Sequence, residues 1–124
     1  FLGGGAGSGT GIDLTGNLVG VNLSGANLTG VDLNGLNLTE ANLSGADLTG
    51  ASLSAANLSN VNLSNANLNN ATMIGSILAG ANLDGANMTG ANLMQPNLTS
   101  ATYTAATIWP AGFDPAASGA ILVP

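Results

Sequence analysis

The sequence has no lysine, arginine, histidine or cysteine in its 124 residues. An average soluble chain of this length carries about a dozen Lys and Arg. Phosphate backbones are held mainly by those two side chains, so direct nucleic-acid binding is not expected. Adsorption to an anionic membrane surface is disfavoured for the same reason. Without Cys or His, the usual ligand sets for zinc, iron–sulfur and haem sites are missing, so neither a metal nor a cofactor is expected. Absent cysteines permit an oxidising compartment without requiring one. No apolar run reaches the length of a membrane-spanning helix, so no membrane insertion is expected. Aromatic side chains are as scarce: Phe1, Tyr103, Trp109 and Phe113 are all there are.

What is present is a period. From Leu18 to Phe113 every fifth residue is Leu, Met, Ile, Tyr or Phe, twenty times in succession. Two residues before each stands a small or branched apolar residue, commonly Ala, as at Ala26, Ala41, Ala46, Ala51, Ala56, Ala66 and Ala71. The residue directly before each is usually Asn. A helix at 3.6 residues per turn and a flat strand at 2 would each scatter a five-residue repeat around their surfaces. The repeat is therefore the architecture, one unit stacked on copies of itself. Gly at the fifth position (Gly20, Gly25, Gly30, Gly35, Gly45 and Gly50) suits a chain that turns sharply after every unit.

The chain divides into three segments. Residues 1–11 (FLGGGAGSGTG) form a Gly-rich arm, residues 12–105 the repeat array, and residues 106–124 a tail of different character. Ile12-Asp13-Leu14 reads as a shortened first repeat, because Leu14 and Leu18 are four apart rather than five. The units A-N-L-S-G, A-D-L-T-G, A-N-L-S-N and A-N-L-T-G resemble the pentapeptide-repeat family, whose pattern is A-(D/N)-L-x-x. The likeness covers residues 16 to about 108, and the tail T-I-W-P-A-G-F-D-P-A-A-S-G-A is similar to one that closes many bacterial members. It implies an all-β fold, a right-handed, four-sided parallel β-helix with one pentapeptide per side. The central residue and the one two before it would point inward, and the other three outward. Twenty repeats over four sides make about five coils, a stack roughly 24 Å tall at strand spacing.

Sorted by side, the residues after the central one fall into four outward columns. Thr29, Thr49, Asn69, Thr89 and Trp109 form the first, and Asn34, Ser54, Ile74 and Met94 the second. Val19, Thr39, Ser59, Ala79 and Thr99 form the third, and Ser24, Ser44, Ser64, Asp84 and Thr104 the fourth. The Thr column is interrupted and reads as a solvated ladder rather than an ice-binding face. The six acidic residues, Asp13, Asp32, Glu40, Asp47, Asp84 and Asp114, are scattered, with no vertical pair for acid–base work or calcium. No base or activated nucleophile accompanies them, so the protein is not expected to be an enzyme. Asn-x-Ser/Thr sequons at Asn22, Asn27, Asn37, Asn42, Asn57, Asn62, Asn87 and Asn97 fall out of the repeat consensus. In an exported protein they would also accept glycans.

The ends carry the remaining signal. Asp114-Pro115-Ala116-Ala117-Ser118-Gly119 reads as one helical turn with Asp as N-cap and Gly as C-cap, and then an apolar strand from Ala120 to Val123. Tyr103, Trp109 and Phe113 cluster beside it and would seal the last coil. A β-helix has open edges that template further stacking, and soluble solenoids cover them with polar or charged caps. Here the N-terminal end has only Phe1 and Leu2 on a glycine tether. Head-to-tail self-assembly is thus expected, with Phe1, Leu2, Tyr103, Trp109, Phe113, Ile121, Leu122 and Val123 at the junction. A chain opening on Phe rather than Met is read as an exported one that has lost its leader, so an extracellular filament subunit is the expected function. The family resemblance implies an alternative, because some members mimic duplex DNA and bind type II topoisomerases.

Overall fold

Five backbone N–H groups per repeat need acceptors, and in a regular repeat all five find one. A computed structural model describes residues 17–124, and the unit Ala41–Gly45 is representative. The Asn42 N–H donates down to Val21 O at 2.9 Å, while the Leu43 and Gly45 N–H groups donate up to Asn62 O and Ser64 O at 2.8 and 2.9 Å. The Ala41 N–H closes a tight turn onto Leu38 O at 3.0 Å. The fifth donor, the Ser44 N–H, goes to the Asn42 side-chain Oδ1 at 3.0 Å. The Ser44 hydroxyl donates to that same oxygen at 2.7 Å. Asn precedes the central Leu so often because a short side-chain acceptor there serves the one N–H no neighbouring coil reaches.

Repeated, this pattern makes four ladders of parallel bridges between residues twenty apart. One runs Asn22, Asn42, Asn62, Asn82 and Thr102, and a second Asn27, Asp47, Asn67 and Asn87. The others run Asp32, Ser52, Thr72 and Asn92, and Asn37, Asn57, Ile77 and Asn97. One circuit of the chain is therefore four pentapeptides. The central residues from Leu23 to Met88 form the core and are fully buried, with the Ala positions beside them. Each corner is a four-residue turn whose third residue has positive φ, as at Gly25 with φ 68°. The same fifth position is left-handed where it is not Gly, at Glu40, Ala55, Asn60, Asn65, Asn70, Gln95 and Ser100.

The period of five in the sequence does not survive intact to Phe113. Asn87 bridges to Ile108, twenty-one residues on, and the Met88 N–H donates to Ile108 O at 2.7 Å. One extra residue is thus accommodated between Tyr103 and Thr107. Ile108, expected inside the column, takes the outward Asn position and is 50% exposed. Trp109, expected on an outward ladder, takes the inward position and packs against the core. The Thr107 hydroxyl splices the insertion. It donates to Leu83 O at 2.7 Å and accepts from the Gly85 and Thr104 N–H groups, each at 3.2 Å.

The tail then closes the stack. The short strand β1, Thr102–Tyr103, pairs in parallel with β2, Ile121–Leu122, which lies over it as a further layer. Between them a single 3-10 turn, Ala116–Ser118, ends at Gly119 with φ 94°. The Asp114 side chain accepts from the Ala117 N–H at 3.2 Å, the capping role expected of it, although Pro115 directly precedes the turn. Gly119 passes so close to the layer beneath that a Cβ would sit 3.3 Å from Thr99 Cα. Its carbonyl accepts from the Ser100 N–H at 3.1 Å.

Candidate functional site

The sides of the stack present bound-up polar groups. On most of the Asn-x-Ser/Thr units the hydroxyl is turned back onto the Asn oxygen, at 2.8 Å for Thr29, 2.6 Å for Ser59 and 2.7 Å for Thr89. A hydroxyl whose proton is spent in this way is neither a nucleophile nor a free donor. Two of the carboxylates are engaged in the same way or across one layer. Asp47 occupies an Asn position and accepts from the Thr49 hydroxyl at 2.6 Å and the Thr49 N–H at 3.1 Å. These bonds, the hydroxyl first, hold its carboxyl below the ordinary carboxylate range. Asp84 accepts from the Thr104 hydroxyl in the next layer. Among the described residues no group of three His, Cys, Asp or Glu is placed to hold a metal ion.

The C-terminal end differs. Trp109 is edge-on to Tyr103, with centroids 5.2 Å apart at 88°, and stacks on Phe113 at 5.3 Å and 20°. The three rings lie over the end of the Leu column, half-buried, in favoured aromatic geometries. Outside them β2 exposes Ile121 at 50% and Leu122 at 60%. Among the described residues its partner is β1 alone, and its other edge carries backbone groups with no partner there. Two open grooves flank this end. One, of about 380 Å³, is lined by Leu93, Met94, Pro110 and Phe113. The other, of about 710 Å³, lies between the inserted residues Thr104–Ala106 and the strand end Leu122–Pro124, with Asp84 at its rim.

A family model for pentapeptide repeats, in 8 copies, matches residues 17–54 and 56–95. The chain belongs to the pentapeptide-repeat family. Members of this family form right-handed quadrilateral β-helices. A pentapeptide repeat protein (Rfr23) from the cyanobacterium Cyanothece 51142 is 40% identical, with a TM-score of 0.72. The match covers 73% of this chain and 62% of that one, so this chain accounts for under two thirds of its relative's length. HetL, a pentapeptide repeat protein involved in heterocyst differentiation regulation in Nostoc sp. strain PCC 7120, is 28% identical with a TM-score of 0.58. That match covers 67% of this chain and 46% of HetL. No curated protein matches the chain.

Of the residues the sequence singles out on this pentapeptide-repeat rod, Tyr103, Trp109 and Phe113 come together as one aromatic cluster. Ile121 and Leu122 lie on the outer strand, and the Val123 N–H donates to Tyr103 O at 2.8 Å. Phe1 and Leu2 lie outside the described residues, as does the shortened repeat at residues 12–15. The outward apolar side chains Ile74, Ile77, Met94 and Ile108, exposed by 37–57%, are not among the site residues the sequence singles out. Ile74 and Met94 were readable, being apolar in an outward column. Ile108 was hidden by the one-residue insertion. Among the described residues no helix is long and apolar enough to cross a membrane.

Proposed function

We propose that the protein is a non-enzymatic structural subunit, a rod of about five coils that assembles head to tail into an extracellular filament. The observation that carries this reading is β2, which among the described residues is hydrogen-bonded on one side only and bears two exposed apolar side chains. Such an edge templates another strand. Among the described residues the first layer has the matching edge. Within the stack the Thr102 N–H donates to Ala81 O and the Ile121 N–H to Ala101 O. By the same rule the Asn22 N–H of a second copy would donate to Ala120 O. A contact between two different ends does not close on itself and yields a polymer. A filament without Lys or Arg offers trypsin-like proteases no cleavage site, which suits the exported location we assign to it.

The net charge of -6 with no cation favours a second reading, a binding module that presents an anionic face to a type II topoisomerase. Its support is thinner, since Asp32, Glu40, Asp47, Asp84 and Asp114 do not line up into rows. Negative-stain microscopy of the purified chain separates the two. Filaments with an axial repeat of roughly 24–35 Å are expected, and Leu122→Lys should suppress them. Single particles at all concentrations, together with inhibition of topoisomerase supercoiling, would establish the binding module instead.

A further inference from the structure

We propose that Phe1 and Leu2 of one copy seat in the groove beside Phe113 of the next, so that each junction is held by an arm as well as by β2. This inference rests on the head-to-tail reading above and names a second contact within it. The large apolar side chains on the groove are Leu93, Met94, Pro110 and Phe113, beside Asn92 and small residues, and Met94 is 57% exposed on its wall. One layer below, on the same side, Ile74 is 39% exposed. Nearer the other end this side bears Asp32, Asn34, Ser52 and Ser54. An outward apolar strip is therefore confined to the layers next to the groove.

The occupant is argued from the chain that lies outside the described residues. Within FLGGGAGSGTG the only large side chains are Phe1 and Leu2, ahead of a tether of Gly, Ala, Ser and Thr. Two adjacent apolar side chains and an apolar groove without a charge on it are chemically matched. Reach does not limit the contact, since the eleven residues ahead of the array span up to about 36 Å when extended. Direction decides between copies. The segment joins the rod at Asn17, in the first layer, and its own groove lies at the far end. In a head-to-tail stack the neighbour's groove is adjacent to that first layer.

The chain has no native cysteine, so a disulfide test has no background. Leu2→Cys combined with Met94→Cys, oxidised at polymer-forming concentration, should give a ladder of interchain species on a non-reducing gel. Each single variant should stop at a dimer. Met94→Asp, at an exposed position, should leave the circular dichroism spectrum unchanged and raise the critical concentration for assembly by about tenfold. Filaments that form with no ladder, or a disulfide that closes within one chain, would overturn the arm contact while leaving head-to-tail assembly standing. The arm contact also fails if Met94→Asp leaves the critical concentration unmoved. If the native chain forms no polymer, both readings fall together.

Discussion

Asn before the central residue and Ala before that Asn have opposite tasks, and residues 76 and 77 depart from both. Ser76 stands in the inward Ala column, fully buried, and among the described residues its hydroxyl has no hydrogen-bond partner. Next to it Ile77 stands where Asn would be, with its side chain 37% exposed. A buried hydroxyl with no partner loses its water for nothing in return. Ser76→Ala is therefore expected to stabilise the protein by about 1–2 kcal/mol, read as a higher urea midpoint at unchanged slope. A lower midpoint would mean that the hydroxyl has found an acceptor. Asp47 is another departure, an ion in an Asn position. Its carboxyl is lowered by the Thr49 hydroxyl and then by the Thr49 N–H. A group lowered on folding contributes stability that is complete above its unfolded value, about 3.9, and is lost as pH falls through the folded value. The native chain should thus lose stability between about pH 4 and the lower folded value. Asp47→Asn keeps the acceptor and should flatten that part of the stability–pH curve, and equal slopes for both proteins would contradict the assignment.

The elements that matter are the pentapeptide and the two short strands, and they differ in how far the sequence exposes them. Each regular unit was legible from one side chain to the next, because the period and the Asn acceptor are local. The turn at Asp114–Gly119 and the strand after it were legible for the same reason. The insertion between Tyr103 and Thr107 was not. Ile108 is apolar and in phase, so by spacing alone it outcompetes Trp109 for the inward place. What reverses the order is a hydrogen-bond account that spans coils. With Thr102 where an Asn would stand, the Thr104 N–H lacks its usual side-chain acceptor, and the Thr107 hydroxyl takes it together with the Gly85 N–H. Thr107→Val keeps the shape and deletes the hydroxyl, leaving both N–H groups without a partner. It should destabilise by about 2–3 kcal/mol, measured in urea. Thr107→Ser keeps the splice and should cost less. If the two variants are equally affected, the hydroxyl is not what holds the insertion.

At the scale of the whole molecule the ladders make a claim about length that no single unit makes. Every bridge on the regular sides joins residues twenty apart, so the stack should tolerate loss of a full circuit and no other nearby length. Excision of residues 42–61 joins Ala41 to Asn62 and restores an Ala-Asn-Leu unit at the seam. Leu38, Asn57 and Ser59 show what must be preserved: the Leu38 N–H donates to Asn57 O, and the Glu40 N–H to Ser59 O. After the excision the same donors meet Ile77 O and Ala79 O, the acceptors that now serve Leu58 and Asn60. All four sides keep their order, and the C-terminal cap stays over the side that carries Asn22. In a solenoid the stability is a sum of units and nearest-neighbour interfaces, so the shortened rod should melt cooperatively at a lower temperature with the same spectrum per residue. Excision of residues 42–59 removes eighteen residues and joins Ala41 to Asn60. That puts a corner residue into the ladder and shifts every later side chain by two places. This variant should fail to fold, seen as loss of a cooperative melt. Equal behaviour of the two deletions would contradict a stack built on a pitch of twenty, and with it the layer-on-layer continuation from which end-to-end assembly is inferred.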